Sequence, residues 1–163
     1  MKVIRGFTLI ELMVTIAVLA ILATLTAPSL ENAIKKREIE STGNDFEKAL
    51  SQARADAVLY RKNVTVNIKS KGPDTDTTRF WSVPEDVTVE FKEGRCEDGR
   101  WNNEKTIPVF SQIVFLPQGT VQALPNNLEV QLKNEHDKKF IYVTNLGRIS
   151  ISNNSIFEGA CTI

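Results

Sequence analysis

Glu11 is a carboxylate in an unusual place. It lies inside the apolar run FTLIELMVTIAVLAILATLTAPSL, from Phe7 to Leu30, which is otherwise uncharged. A lone acid at membrane depth costs on the order of 2.5–3.5 kcal/mol on insertion scales, so it needs a cation. Gly6 closes the short basic leader MKVIRG directly before the run. A small residue at that junction is where a peptidase could cut and leave the apolar run on the mature chain. The cut would expose a new α-amine on Phe7. Set against Glu11 of a neighbouring copy, at about 4 Å and an intermediate dielectric, that amine would contribute roughly 4 kcal/mol. The chemistry offered is charge pairing between molecules, which would fix the axial stagger of adjacent helices.

Other chemistry is sparse. The single histidine, His136, sits in the charged turn Asn134 to Lys139, with no second histidine to share a metal or a proton. No G-x-G-x-x-G and no phosphate-binding loop occurs, and no motif pairs two carboxylates. The chain reads as a non-enzyme without cofactor or metal. Its two cysteines, Cys96 and Cys161, lack C-x-x-C spacing, which argues against zinc and redox roles. The 20 basic and 20 acidic residues cancel, so nothing draws the whole chain to nucleic acid or anionic lipid.

Glu11 must be positioned by the segment that holds it. Leu12 to Ala27 carries no charge and would make about 24 Å of helix, and Phe7 to Leu30 roughly 36 Å. A hydrocarbon core asks for about 20 such residues. Lys2 and Arg5 would keep the N-terminal end on the cytoplasmic side. A cleaved secretion signal would place its cut after the run, where Ala27-Pro28 is a poor site. A plain signal anchor would leave Glu11 accidental.

Past Pro28 the pattern becomes amphipathic. Leu30, Ala33, Ile34, Phe46, Ala49, Leu50, Ala53, Ala57, Val58 and Tyr60 follow helical spacing, and Glu31, Lys35, Lys36, Arg37, Glu38 and Glu40 form a solvated face. The reading is one helix from Phe7 to about Arg61, bent or frayed at Pro28 and weak near Ser41 to Asn44. At full extension it would measure about 80 Å. From Asn63 the period drops to two. Strands are expected at Val64–Ile68, Arg79–Pro84, Val87–Lys92, Ile107–Phe110, Ile113–Leu116, Leu128–Lys133, Phe140–Thr144 and Arg148–Ser152. Long loops are expected at Lys71–Thr78 and Glu93–Thr106. Strands in succession without helices between them imply an α+β fold with a mainly antiparallel sheet covering the second half of the helix.

The run Gly6-Phe7-Thr8-Leu9-Ile10-Glu11-Leu12 resembles the class III leader of type IV pilins and type II secretion pseudopilins. That resemblance implies cleavage between Gly6 and Phe7 by a prepilin peptidase, methylation of the Phe7 amine, and subunit docking through Glu11. It also implies residues 1–6 as leader, 7–30 as the transmembrane and assembly half of the helix, and 31–163 as a periplasmic globular head. Further features are similar to the GspH/FimT group of minor pilins and pseudopilins, which includes the FimU-like pilins. They are Gln52-Ala53-Arg54-Ala55-Asp56-Ala57, the strand from Val64, Ile113 to Gly119, and Ile141–Thr144 leading into Leu146-Gly147-Arg148-Ile149. The implied function is a minor pilin of a tip or priming complex, first in the inner membrane and then in the extracellular pilus. Its partners would be other minor and major pilins and the inner-membrane assembly platform. The alternative is a minor pseudopilin of a type II secretion system.

With the head in an oxidising compartment, Cys96 and Cys161 would form a disulfide, although a pair of free thiols remains the other possibility. Closing a loop of about 65 residues is worth roughly 4 kcal/mol in the chain-entropy model. Trp101 would either pack over that bridge or anchor a partner. Some members of the FimT branch capture DNA through Gly-Arg-x-Arg. Here Gly147-Arg148-Ile149-Ser150 keeps only the first arginine, and Lys133, Lys138 and Lys139 alternate with Glu135 and Asp137.

Overall fold

The computed structural model describes residues 7–98, 100–107, 110–124, 126–157 and 161, without the side chains of 23–29 and 102–104. The leader, with Lys2, Arg5 and Gly6, lies outside the described residues. The order is one helix, α1 (Leu9–Tyr60), followed by β1 (Val64–Ile68), β2 (Thr78–Trp81), β3 (Thr88–Glu97), β4 (Arg100–Ile107), β5 (Gln112–Phe115), β6 (Asn127–Lys133), β7 (Lys138–Val143) and β8 (Ile149–Ser152). The fold is α+β. The chain forms two compact units, Met1–Lys35 and Lys36–Ile163, and α1 runs through both.

In the second unit α1 buries Ile39, Phe46, Leu50, Ala53 and Ala57, one stripe at three- and four-residue spacing. Of the residues expected on that pattern, Leu30, Ala33 and Ile34 of the first unit and Val58 and Tyr60 of the second are exposed. Val58 lies about 100° around the helix from Ala57, and Tyr60 is the last helical residue, before Arg61 turns at a φ of +53°. The helix is also unbroken through Pro28 and through Ser41–Asn44, where the sequence suggests a bend and a weak point. At the second place the Thr42 hydroxyl donates to Glu38 O at 2.8 Å. Gly43 lets a strand close in: a Cβ there would stand 3.0 Å from Lys139 Cγ and 3.1 Å from Ile151 Cδ1. The glycine therefore serves close packing inside the helix.

The expected single sheet is two sheets. One has the order β2-β1-β5 and the other β4-β3-β6-β7-β8. All pairings are antiparallel except β1 with β2. That parallel pair makes residues 69–77 a return crossover. The loop is held by Asp74, whose Oδ1 accepts from Phe80 N–H at 3.0 Å and whose Oδ2 lies 3.2 Å from Arg79 Nη1. Arg79 Nη2 also meets Asp56 of α1 at 2.6 Å, tying β2 to the helix. The core lies between α1 and the inner faces of the sheets, with Val64, Val66, Phe91, Ile113, Phe115, Leu128, Val130, Leu132, Ile141 and Val143 buried there.

The expected loop Glu93–Thr106 is instead a β-hairpin, β3 with β4, in which Cys96 faces Trp101 and Glu97 faces Arg100 in register. Asp98 takes a φ of +52° at its tip. Aspartate is one of the few non-glycine residues that take the positive φ a two-residue hairpin turn needs. Strand β4 ends at Ile107, and the rest of the expected strand Ile107–Phe110 includes 108 and 109, which lie outside the described residues.

Candidate assembly interface and its supports

Phe7 and Glu11 flank the start of α1. Thr8 caps it: Glu11 N–H donates to Thr8 Oγ1 at 3.3 Å, and Leu12 N–H to Thr8 O at 3.2 Å. A threonine followed three residues later by a glutamate is the capping-box pairing, and an acid in the first turn also favours the helix dipole. Glu11 thus has a place in its own helix besides any place between molecules. From Phe7 to Leu22 the large apolar residues Phe7, Leu9, Ile10, Leu12, Met13, Val14, Ile16, Val18, Leu19, Ile21 and Leu22 are all exposed. A helix apolar on every side suits a bundle or a membrane rather than water. Among the described residues no helix is long and apolar enough to cross a membrane. The apolar run passes through 23–29, whose side chains lie outside that description.

The three loose motifs of the second unit meet at one point. Arg54, from the Gln52–Ala57 run, donates through Nε to Gly119 O at 3.1 Å. Gly119 ends the Ile113–Gly119 run and has a φ of +82°. Gly147, at φ +75°, packs so closely on Gly119 that a Cβ would run into its carbonyl oxygen. The turn is closed by Gly147 N–H donating to Thr144 O at 2.8 Å and Arg148 N–H donating to Thr144 Oγ1 at 3.0 Å. Arg148 itself is exposed.

Lys133 and Lys138 do not gather around Arg148. They pair at the far end of β7, and β7 spans roughly 17 Å between Lys138 and the turn that carries Arg148. Lys139 is engaged elsewhere, its Nζ 2.7 Å from Asn153 Oδ1. His136 is exposed in the β6–β7 turn, where Asn134 Oδ1 accepts its N–H at 3.0 Å and that of Asp137 at 2.8 Å. No metal-holding group of side chains occurs among the described residues.

Cys96 and Cys161 form a disulfide with Cα atoms 5.7 Å apart. Ser155, Ile156 and Phe157 lie along the outer face of the larger sheet. Phe157 stacks edge-on to Trp101, centroids 4.9 Å apart, and fills the space a Cβ on Gly94 would need, 2.5 Å from Phe157 Cε1. Trp101 is therefore a packing residue beside the disulfide. Beneath the segment lies Glu129, fully buried, whose Oε2 accepts from Ser155 Oγ at 2.6 Å and from Ile156 N–H at 3.1 Å. Lys92 and Tyr142 are its register neighbours on the flanking strands. The Tyr142 hydroxyl donates to Asn154 O. Burial, and next the Glu129 charge, holds that phenol above its ordinary value of 10.0. Alternation along β6 places Glu129 opposite the core, where a sequence reading expects solvent. Only the two cysteines hint that the tail returns to cover it.

Comparison with known proteins bears on identity. The family model described as the prokaryotic N-terminal methylation motif matches residues 1–27. The one described as type II transport protein GspH matches residues 42–153, more than half of the chain. No curated protein matches. Among solved structures, the crystal structure of the type IV minor pilin FimU of Pseudomonas aeruginosa (strain PAO1) is similar at 13% identity and a TM-score of 0.49. That match covers 72% of this chain and 90% of the other. The chain belongs to the family of the type II transport protein GspH and carries the prokaryotic N-terminal methylation motif.

Proposed function

We propose that the chain is a structural subunit of a type IV pilus, a minor pilin of the tip or priming complex. The prepilin peptidase cuts between Gly6 and Phe7 and the Phe7 amine is methylated. Residues 7–30 hold the chain in the inner membrane, residues 31–163 lie in the periplasm, and the subunit passes into the extracellular pilus beside other minor and major pilins. The observation that carries this reading is the first turn of α1. Its single acid, Glu11, is exposed on a helix whose large side chains through Leu22 are otherwise exposed and apolar. Such a surface offers a neighbouring subunit apolar contact and one charge to neutralise.

The family match to type II transport protein GspH favours a second reading, a minor pseudopilin of a secretion system. Both use the same N-terminal chemistry. DNA capture has weaker support, because Arg148 stands apart from the lysines that would join it.

Glu11→Ala tests the docking role. Incorporation into filaments should fall strongly while membrane insertion persists, and the processed N-terminus should be unchanged. Wild-type incorporation of that variant would remove Glu11 from assembly and leave it as a helix-capping residue.

A further inference from the structure

Within residues 36–163, every exposed large apolar side chain among those described falls in one of two places. Val58, Leu59 and Tyr60 end α1, at 50, 71 and 55% exposure, and Leu146 precedes Gly147 at 69%. The Gly119–Gly147 contact brings Val58 and the turn after Leu146 together: Val58 Cγ2 lies 3.2 Å from where a Cβ on Gly119 would stand, and Gly147 packs on the same glycine. The charges that flank these residues in sequence have one sign. Arg54, Arg61, Lys62 and Arg148 are exposed, and no acid occurs from Ala57 to Asn63 or from Thr144 to Ser150. The nearest acid in sequence, Asp56, is paired with Arg79. Elsewhere the described large apolar residues of the unit are buried or half-buried, so a clustered exception flanked by one charge marks a contact surface.

We propose that this patch is the docking surface for an unlike protein subunit, one presenting an apolar centre rimmed by carboxylates. The proposal deepens the filament-subunit reading and rests on it. Charge decides among occupants. An isologous contact with a second copy would set four cations against four cations. Nucleic acid would satisfy the cations and leave Val58, Leu59 and Leu146 without apolar cover. A carboxylate-rimmed protein surface satisfies both. This surface is separate from Glu11, so the molecule would carry one contact on the helix start and another at the helix end.

The test uses the full-length chain in its own cells, with p-benzoylphenylalanine placed at Leu59 or Leu146, and at Glu135 as the control. Every other protein of the same cell that bears a pilin-type leader carries an epitope tag. Before irradiation, the chain must be found in the sheared filament fraction; its absence there would overturn the subunit reading and this proposal with it. After irradiation, Leu59 and Leu146 should give an adduct with an unlike tagged subunit, and Glu135 should not. The double variant Lys62→Glu, Arg148→Glu should reduce that adduct roughly tenfold, as expected for loss of an interface anchor. An adduct only with a second copy, a nuclease-sensitive adduct, or none from a chain present in filaments would overturn the docking surface while leaving the subunit reading intact.

Discussion

Gly147 shows how one backbone position governs a junction. Its φ of +75° is costly for any residue with a Cβ, and that Cβ would meet Gly119 O. Gly147→Ala should therefore destabilise the fold by about 2–4 kcal/mol, read from urea unfolding followed by Trp81 and Trp101 fluorescence. Arg148→Gln, one residue on and exposed, should change stability by no more than about 0.5 kcal/mol. Equal effects would mean that the turn is not held by Gly147. Tyr142 supplies a pH prediction. Its pKa is raised in the folded state, so its share of stability is complete below about pH 10 and is lost as pH climbs through the higher folded value. The urea midpoint should fall as pH rises above about 10, and Tyr142→Phe should flatten that fall. An unchanged slope would remove the buried phenol from the account.

At the scale of elements, the C-terminal segment and its disulfide form the clearest unit. Reduction, or Cys161→Ser, should lower stability by up to roughly 4 kcal/mol, since the bridge closes a long loop, and should expose the ground around Glu129. A thermal melt unchanged by reductant would show that the segment is held without the bridge. The elements differ in how plainly the sequence announced them. Strands β1, β6 and β8 alternate apolar and polar residues, β7 is a short apolar run after two lysines, and all four were readable within a residue or two at each end. The β3–β4 hairpin was missed because polar residues fill it and its stability comes from Cys96, Trp101 and a tail more than 50 residues away. Yet Asp98-Gly99 announced the turn. The split into two sheets was not readable, because a parallel β1–β2 pair depends on where a polar loop returns, and Asp74 and Arg79 decide that only in three dimensions. Glu11, proposed here for docking with Phe7, stands out in the sequence because it is a charge in an apolar run. Glu129 does not, because an acid on a strand's outer face looks like any solvated one.

At the scale of the whole molecule, the chain joins an apolar N-terminal helix segment bearing one acid to a unit closed by two sheets and a disulfide. Its central claim is that the mature chain begins at Phe7, so that an amine exists at the depth where Glu11 can use it. The direct measurement is the N-terminal sequence and intact mass of the chain recovered from cells. The account predicts an N-methylated Phe7 as first residue, with Glu11 fifth. A chain beginning at Met1, or anywhere beyond Pro28, would contradict it, because no amine would then stand beside Glu11 to neutralise it.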